Sequence, residues 1–383
     1  MRVGIDATGW TLRRGYGRFE RNALSRLVEI DPETTYVFYV GEAGADELPA
    51  GAEHRVVRIR GVPVPDETRL ARDSMRLMLA VRRDAPDAFL FPAVYSFFPV
   101  FGVPAILGVH DLIASELGEL ALPTRRARIS WRLKEWLAVR SATALFTVSK
   151  ASRAAIARRF GVSEDEIAVV RGAADPVFRP RSEKEIAAAR AEVGLGADDR
   201  FFVYAAGISP HKRIDTLLDA FAAVAPSAWL VIAGDLDENR FIPVGKELRA
   251  RVARLGLGDR ILLPGFVSDD RLAALYTGAV AAVIPSAAEG FGLPAVEAAT
   301  CGAAVILSDL PPHRESLGDG ALYFPPGDVP ALRARLERVL DDEELRRSLA
   351  EQARAAVAGL SWDAAAEGLR DLVRRATPAR LTD

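Results

Sequence analysis

Residues 285–302 read PSAAEGFGLPAVEAATCG. The uncharged run Ala281–Pro285 before them has the make-up of a buried strand, and a glycine-bearing loop carrying Glu289 follows it. Pro294 stands where a first helical residue belongs, with Glu297 in the first turn. Strand, short loop and helix in this order are half of a βαβ unit. The backbone N–H groups of Phe291, Gly292 and Leu293 and the positive end of the helix dipole would face an anion, and Gly290 and Gly292 permit its close approach. Two carboxylates repel a phosphate unless they point past it toward hydroxyl groups, Glu289 toward a sugar and Glu297 toward a ribose. The competing reading makes Glu297 a solvated acid favoured by the helix dipole and the glycines a plain turn.

Outward from this segment the same alternation of apolar strand and amphipathic helix runs through the whole chain, the pattern of parallel sheets covered by helices. Strands are expected at Arg2–Asp6, Tyr36–Val40, Val56–Ile59, Phe89–Phe91, Ala105–Val109 and Ala144–Val148, and the run Ile167–Arg171 comes after them. Helices are expected between them at about 17–29, 68–83, 124–141 and 149–160. Pro176 and Pro180 then interrupt regular structure, which sets a domain boundary near Gly172. A second series follows at Phe202–Ala206, Trp229–Ala233, Arg260–Leu263, Ala281–Pro285, Val305–Leu307 and Leu322–Phe324. The expected class is α/β, with doubly wound domains at 1–172 and 173–361 and a last helix in 362–383 able to pack back on the first domain. Two such sheets facing each other place a cleft at the carboxyl ends of their strands, where ligands of open α/β sheets bind.

Other strand ends carry candidate chemistry. In GISPHKRIDTLLDAF (207–221), Lys212 can neutralise a diphosphate as a point charge with His211 beside it. A cation at a helix start is disfavoured without an anion to compensate it. After Arg2–Asp6, Gly15 and Gly17 can let the backbone close over a phosphate, or can serve a turn. His110-Asp111 puts an imidazole at the end of Ala105–Val109, with a carboxylate that can orient it or bond nearby backbone. Asp235-Leu236-Asp237 has the form of a metal-holding carboxylate pair, but reads better as a solvated loop because Lys212 and a helix end already supply positive charge.

Composition narrows the function. A chain of 383 residues exceeds one ordinary core, and with half its residues hydrophobic and 27% charged it is not a disordered one. Fifty Lys and Arg against 52 Asp and Glu leave −2, so no nucleic-acid partner is expected. Cys301 is the single cysteine, and histidines at 54, 110, 211 and 313 lack metal-ligand spacing, which suits a reducing cytoplasm. Residues 88–109 are uncharged and long enough to span a bilayer, yet Pro92, Pro99 and Pro104 break them, and two short buried strands with an apolar loop are expected instead. The opening MRVGIDA has no signal-peptide pattern.

Together these segments resemble the retaining glycosyltransferases of family 4, built on the GT-B fold of two facing Rossmann-like domains. Glu289-Gly-Phe-Gly-Leu-Pro-Ala-Val-Glu297 resembles the family's paired-glutamate element, and Gly15-Tyr16-Gly17-Arg18-Phe19 its N-terminal glycine loop. Val109-His110-Asp111-Leu112, Val148-Ser149-Lys150 and Pro264-Gly265-Phe266-Val267 resemble its other strand-end motifs. The resemblance implies that Lys212 binds the donor diphosphate, Glu297 the ribose and Glu289 the transferred sugar. It also implies that Phe266 and Val267 meet the base and that His110 lines the reaction centre. The implied reaction moves a hexose from a nucleoside diphosphate sugar, with GDP-mannose as first donor, to a glycan or lipid-linked hydroxyl, with configuration retained and neither metal nor cofactor. His211 departs from the pattern, because the family often has arginine there. A sugar-nucleotide epimerase and a non-catalytic sugar-nucleotide-binding protein are the alternatives.

Between Arg125 and Arg159 stand ten basic residues and one acid, Glu135. Ile129, Trp131, Leu133, Trp136 and Leu137 lie among them, a combination suited to an anionic membrane surface if the stripe faces outward, or to the domain core if it faces inward.

Overall fold

The computed structural model describes residues 1–12, 15–41, 47–58, 71–118, 122, 124–224, 226–234 and 244–377. Every strand pair among them is parallel, so each strand reaches the next through a crossover, mostly helical. The chain divides into two units, Met1–Gly172 with Ser361–Asp383, and Ala173–Leu360.

The first unit runs β1 (Arg2–Asp6), α1 (Gly15–Ile30), β2 (Thr35–Val40), β3 (Glu53–Val56), α2 (Ala71–Asp84), β4 (Ala88–Phe91), β5 (Ala105–Gly108), α3 (Ile113–Glu116), α4 (Arg125–Ser141), β6 (Ala144–Thr147), α5 (Lys150–Phe160) and β7 (Ile167–Val169). The second runs α6 (Glu183–Val193), β8 (Arg200–Ala205), α7 (Ile214–Ala222), β9 (Ala228–Ala233), α8 (Val244–Arg254), β10 (Ile261–Gly265), α9 (Asp269–Gly278), β11 (Ala281–Ile284), α10 (Leu293–Thr300), β12 (Val305–Ser308), α11 (Pro311–Leu317), β13 (Leu322–Phe324), α12 (Val329–Asp341) and α13 (Glu343–Val357). The closing helix α14 (Trp362–Ala376) belongs to the first unit.

The sheets are ordered β3-β2-β1-β4-β5-β6-β7 and β10-β9-β8-β11-β12-β13. Both are doubly wound, and the direction of winding reverses between β1 and β4 and between β8 and β11. That reversal opens a crevice at the carboxyl ends of the two central strands. The central strands are buried along their length, as in β4 and β11, because helices cover both faces of a parallel sheet. The second unit's core joins Phe202, Tyr204, Leu217, Phe221, Leu230, Ile232, Val283 and Ile306.

Two edge strands depart from the sequence reading. β3 covers Glu53–Val56 rather than starting at Val56, and all four residues are exposed. Pairing with β2 through Val37–Val40 needs only its backbone, so the apolar run after it was a poor guide. Ile59 lies outside the described residues, as do 68–70 at the expected start of α2. β10 continues through Pro264 to Gly265, with an irregular register after Leu262. An edge strand tolerates proline because one side of its backbone has no ladder to complete.

Helix α14 lies along α1. Trp362 meets the Phe19 ring edge-on at 5.9 Å. Arg374 bonds the buried Asp31 at 3.2 Å, and Arg26 pairs with Asp363. Val170 approaches Gly368, where a Cβ would lie 3.4 Å from it.

Candidate active site

The loops after β8 and β11 meet at the winding reversal of the second unit. Ala287 N–H donates to His211 O at 2.7 Å, which ties them together through backbone. Lys212 lies in the turn that leads into α7. It ends a 3₁₀ turn, Pro210–Lys212, and Arg213 at φ +50° swings the chain into α7. That left-handed conformation is uncommon for a residue with a side chain.

From this turn Lys212 Nζ reaches Glu289 Oε1 at 2.7 Å, and both side chains are largely buried. Ser286 Oγ donates to the same oxygen at 2.6 Å. Burial by itself raises the Glu289 carboxyl, but Lys212, His313 and the Ser286 hydroxyl outweigh it and hold the group at about 2. Glu289 is therefore an anion at any physiological pH. Oε1 receives both bonds, which leaves Oε2 to accept from a ligand hydroxyl. The Ser209 hydroxyl lies 3.2 Å from His211 Nδ1.

α10 begins at Leu293, one residue earlier than expected, which makes Pro294 its second residue, and its N-cap Gly292 has φ +87°. Ala295 N–H already bonds Gly292 O, whereas the N–H groups at the very start of a helix have no acceptor within it. Phe291 is buried at the mouth of this turn. Glu297 lies in the second turn rather than the first and is 4% exposed, which rules out the solvated-acid reading. Phe266 projects from the end of β10 with 54% of its surface exposed, beside half-buried Val267 and behind Gly265 at φ +75°.

The sequence reading missed two residues of this site. Ser286 orders Glu289. His313, in the first turn of α11, is fully buried, with its Nδ1 2.8 Å from Ser308 O. Its signal was position: it follows β12 as Lys212 follows β8 and Glu289 follows β11.

In the first unit, His110 lies just beyond β5, and its Nε2 bonds Pro92 O at 2.9 Å. Phe19 packs edge-on against the ring at 4.9 Å. Burial lowers the His110 pKa to about 4 against the opposing Pro92 bond, so the ring is neutral. Asp111 takes the backbone role, accepting from Ile113 N–H at 2.9 Å and from Tyr95 OH at 3.3 Å. Gly17 lies inside α1 rather than in a loop, and a Cβ there would come 2.2 Å from Leu12 O. The close approach it allows is thus used by the chain's own carbonyl. Gly15 is exposed at the start of α1. Asp235 and Asp237 lie outside the described residues.

Helix α4 divides the expected apolar stripe. Trp131 turns inward and stacks on Tyr95 at 5.2 Å, while Ile129, Leu133, Trp136 and Leu137 are 57, 57, 52 and 45% exposed. Arg125, Arg126, Arg132 and Arg140 are exposed with them. No helix among the described residues is long and apolar enough to cross a membrane.

The family model for glycosyl transferases group 1 matches residues 185–356, and the model for glycosyltransferase family 4 matches residues 26–178. The chain belongs to the GT-B glycosyltransferases of the family 4 type. Among individual members, the serotype-specific mannosyltransferase WbdA of Escherichia coli is 30% identical over 310 residues, covering 74% of this chain and 36% of WbdA. O-antigen chain mannosyltransferase B of Escherichia coli is 31% identical over 227 residues, 58% of each protein. The chain thus spans between about a third and three-fifths of these relatives. The fold also matches Anabaena HepE, solved with UDP-glucose, at a TM-score of 0.78 and 19% identity over 98% of this chain and 99% of HepE.

Proposed function

We propose that the protein transfers a hexose from a nucleoside diphosphate sugar to an acceptor hydroxyl with retention of anomeric configuration, GDP-mannose being the first donor to try. The observation that carries this reading is the buried Lys212–Glu289 pair beside the N-terminus of α10. Lys212 and the α10 N–H groups receive the diphosphate, Glu289 Oε2 and Glu297 accept from sugar and ribose hydroxyls, and Phe266 with Val267 borders the base. The acceptor oxygen bonds to the anomeric carbon as the bond from that carbon to the diphosphate oxygen breaks, and the departing diphosphate takes the acceptor's proton. Lys212 and the helix end stabilise the charge left on the diphosphate, so the scheme calls on no metal ion. His110, neutral and fixed by Pro92, lines the acceptor side.

The mannosyltransferase relatives support mannose as the sugar, and the HepE complex supports a nucleotide-sugar donor in this fold. We assign the acceptor to a glycan or lipid-linked sugar in surface polysaccharide assembly, reached in the cytoplasm at the inner face of the membrane. The exposed apolar and basic face of α4 supports that peripheral contact. Thermal unfolding with UDP, GDP, dTDP and ADP tests the donor site, since a ligand at 100 times its Kd stabilises by about 2.7 kcal/mol. GDP is expected to act most strongly. No shift with any of the four overturns the reading, and nucleotide sugar isomerised without transfer points to an epimerase.

A further inference from the structure

The imidazole of His313 is held by one nitrogen only. Nδ1–H donates to Ser308 O at 2.8 Å, and Nε2 is buried with no hydrogen-bond partner among the described residues. A bond to a carbonyl fixes the proton on Nδ1, so Nε2 carries a bare lone pair in the neutral ring. Unpaired buried polar atoms are costly and uncommon in native folds. The ring lies directly against the N-cap of α10, where a Cβ on Gly292 would come 2.9 Å from His313 Cδ2 and 3.2 Å from Nε2. Ser316 Oγ, one helical turn along α11, bonds Phe291 O at 3.3 Å and holds the same loop from below.

The charged groups acting on the ring are Glu289 after β11, Lys212 after β8, and Asp309 before α11. Asp309 is already paired with Arg314 at 2.7 and 2.9 Å, and Tyr323 of β13 donates its hydroxyl to Gly318 O at 2.7 Å, with the backbone carbonyl of His313 at 3.3 Å. With His313 neutral, Lys212 and Glu289 balance each other in charge, and Glu297 supplies no compensating cation. A nucleotide-sugar diphosphate adds two negative charges, and Lys212 must then serve a phosphate and a carboxylate together. The α10 N-terminus offsets only about half a charge. One cation is missing, and Nε2 is a buried basic atom beside the deficit.

We propose that His313 is a further residue of the donor site, neutral before the donor arrives and protonated on Nε2 as the diphosphate engages Lys212, so that it becomes the second cation facing Glu289. The proton comes from solvent, and no other bond changes. His313 is a positioning residue, acting on the ligand through Glu289 and the Gly292 turn, and the inference rests on the donor-site reading above.

Calorimetric titration at pH 7 with intact GDP-mannose and UDP-glucose, in phosphate and in Tris, tests it. The diphosphate of an intact nucleotide sugar does not ionise near neutrality, so any buffer-dependent heat belongs to the protein. Wild type is expected to take up a large fraction of one proton per donor bound. His313→Asn, whose amide retains a donor for Ser308 O, is expected to lose the uptake and bind the donor roughly tenfold more weakly, the equivalent of one pKa unit. Equal wild-type heats in the two buffers with donor bound overturn the proposal, whether or not the variant folds. Uptake surviving in a folded His313→Asn also overturns it. No binding of either nucleotide sugar removes the donor-site reading itself.

Discussion

Lys212 Nζ donates to Glu289 Oε1 across 2.7 Å, joining loops that stand 77 residues apart in sequence. Each side chain needs the other, because a charge removed from water is costly unless it is paired.

Replacing Lys212 by alanine should lower kcat by roughly 10²–10³, the scale for losing one preorganised electrostatic donor. Glu297→Ala should chiefly raise KM for the donor. Steady-state kinetics on folded variants separates the two effects, and wild-type turnover in Lys212→Ala would remove the residue from the mechanism.

The Glu289 carboxyl, held at about 2 against an ordinary 4.5, contributes stability that is complete above pH 4.5 and lost as pH falls toward 2. The contribution is on the order of a few kcal/mol. Urea unfolding at pH 5.5 and pH 3 should show a smaller acid-induced loss in Glu289→Gln than in wild type. Identical losses would mean that the pair does not set the acid sensitivity.

His110, with a pKa of about 4 against an ordinary 6.5, stays uncharged across the neutral range. The unfolded chain binds a proton there between pH 6.5 and 4 while the folded chain does not, so stability falls as pH drops through that window. NMR of the ring is expected to show no titration of His110 between pH 8 and 5.5. A midpoint near 6.5 contradicts the buried, neutral assignment.

Transfer should continue in EDTA, because Lys212 and the α10 N-terminus supply the positive charge that a divalent ion provides elsewhere. Activity lost on chelation and restored by Mn²⁺ or Mg²⁺ would bring Asp235 and Asp237 into the site.

The exposed face of α4 predicts salt-sensitive co-sedimentation with anionic liposomes, each basic residue near the surface contributing up to about 1 kcal/mol. Reversing Arg125, Arg126 and Arg132 should release the protein; Arg128 is unsuitable because it bonds Leu122 O at 3.2 Å. Equal binding to neutral and anionic lipid, or no response to the reversals, defeats membrane docking.

The central strands were legible because burial on both faces writes them as unbroken apolar runs, as in AFLF at 88–91 and AAVI at 281–284. The exposed edge strand β3 carries no such mark and was expected three residues late, and β10 was ended two residues early at its proline, whereas the edge strand β13 was expected at its observed bounds. Lys212 and Glu289 stood out as charges at strand ends, but no local pattern encodes a contact between residues so far apart. His313 and Ser286 were hidden for a different reason: PPHRE and PSAAE look like ordinary turns until the sheet order puts them on one edge. The inward Trp131 and outward Trp136 share a helix and a composition, and only packing tells them apart.

The return of α14 to α1 has a consequence for synthesis on the ribosome, where domains generally fold as units from the N-terminus onward. Residues 173–360 form a contiguous unit and emerge whole, whereas the unit that starts first is completed last. Until residue 376 is made, Phe19 lacks Trp362 and the buried Asp31 lacks Arg374. A chain that stops short of α14 therefore leaves its earliest helix with an uncovered apolar face, a ready target for chaperones or proteases.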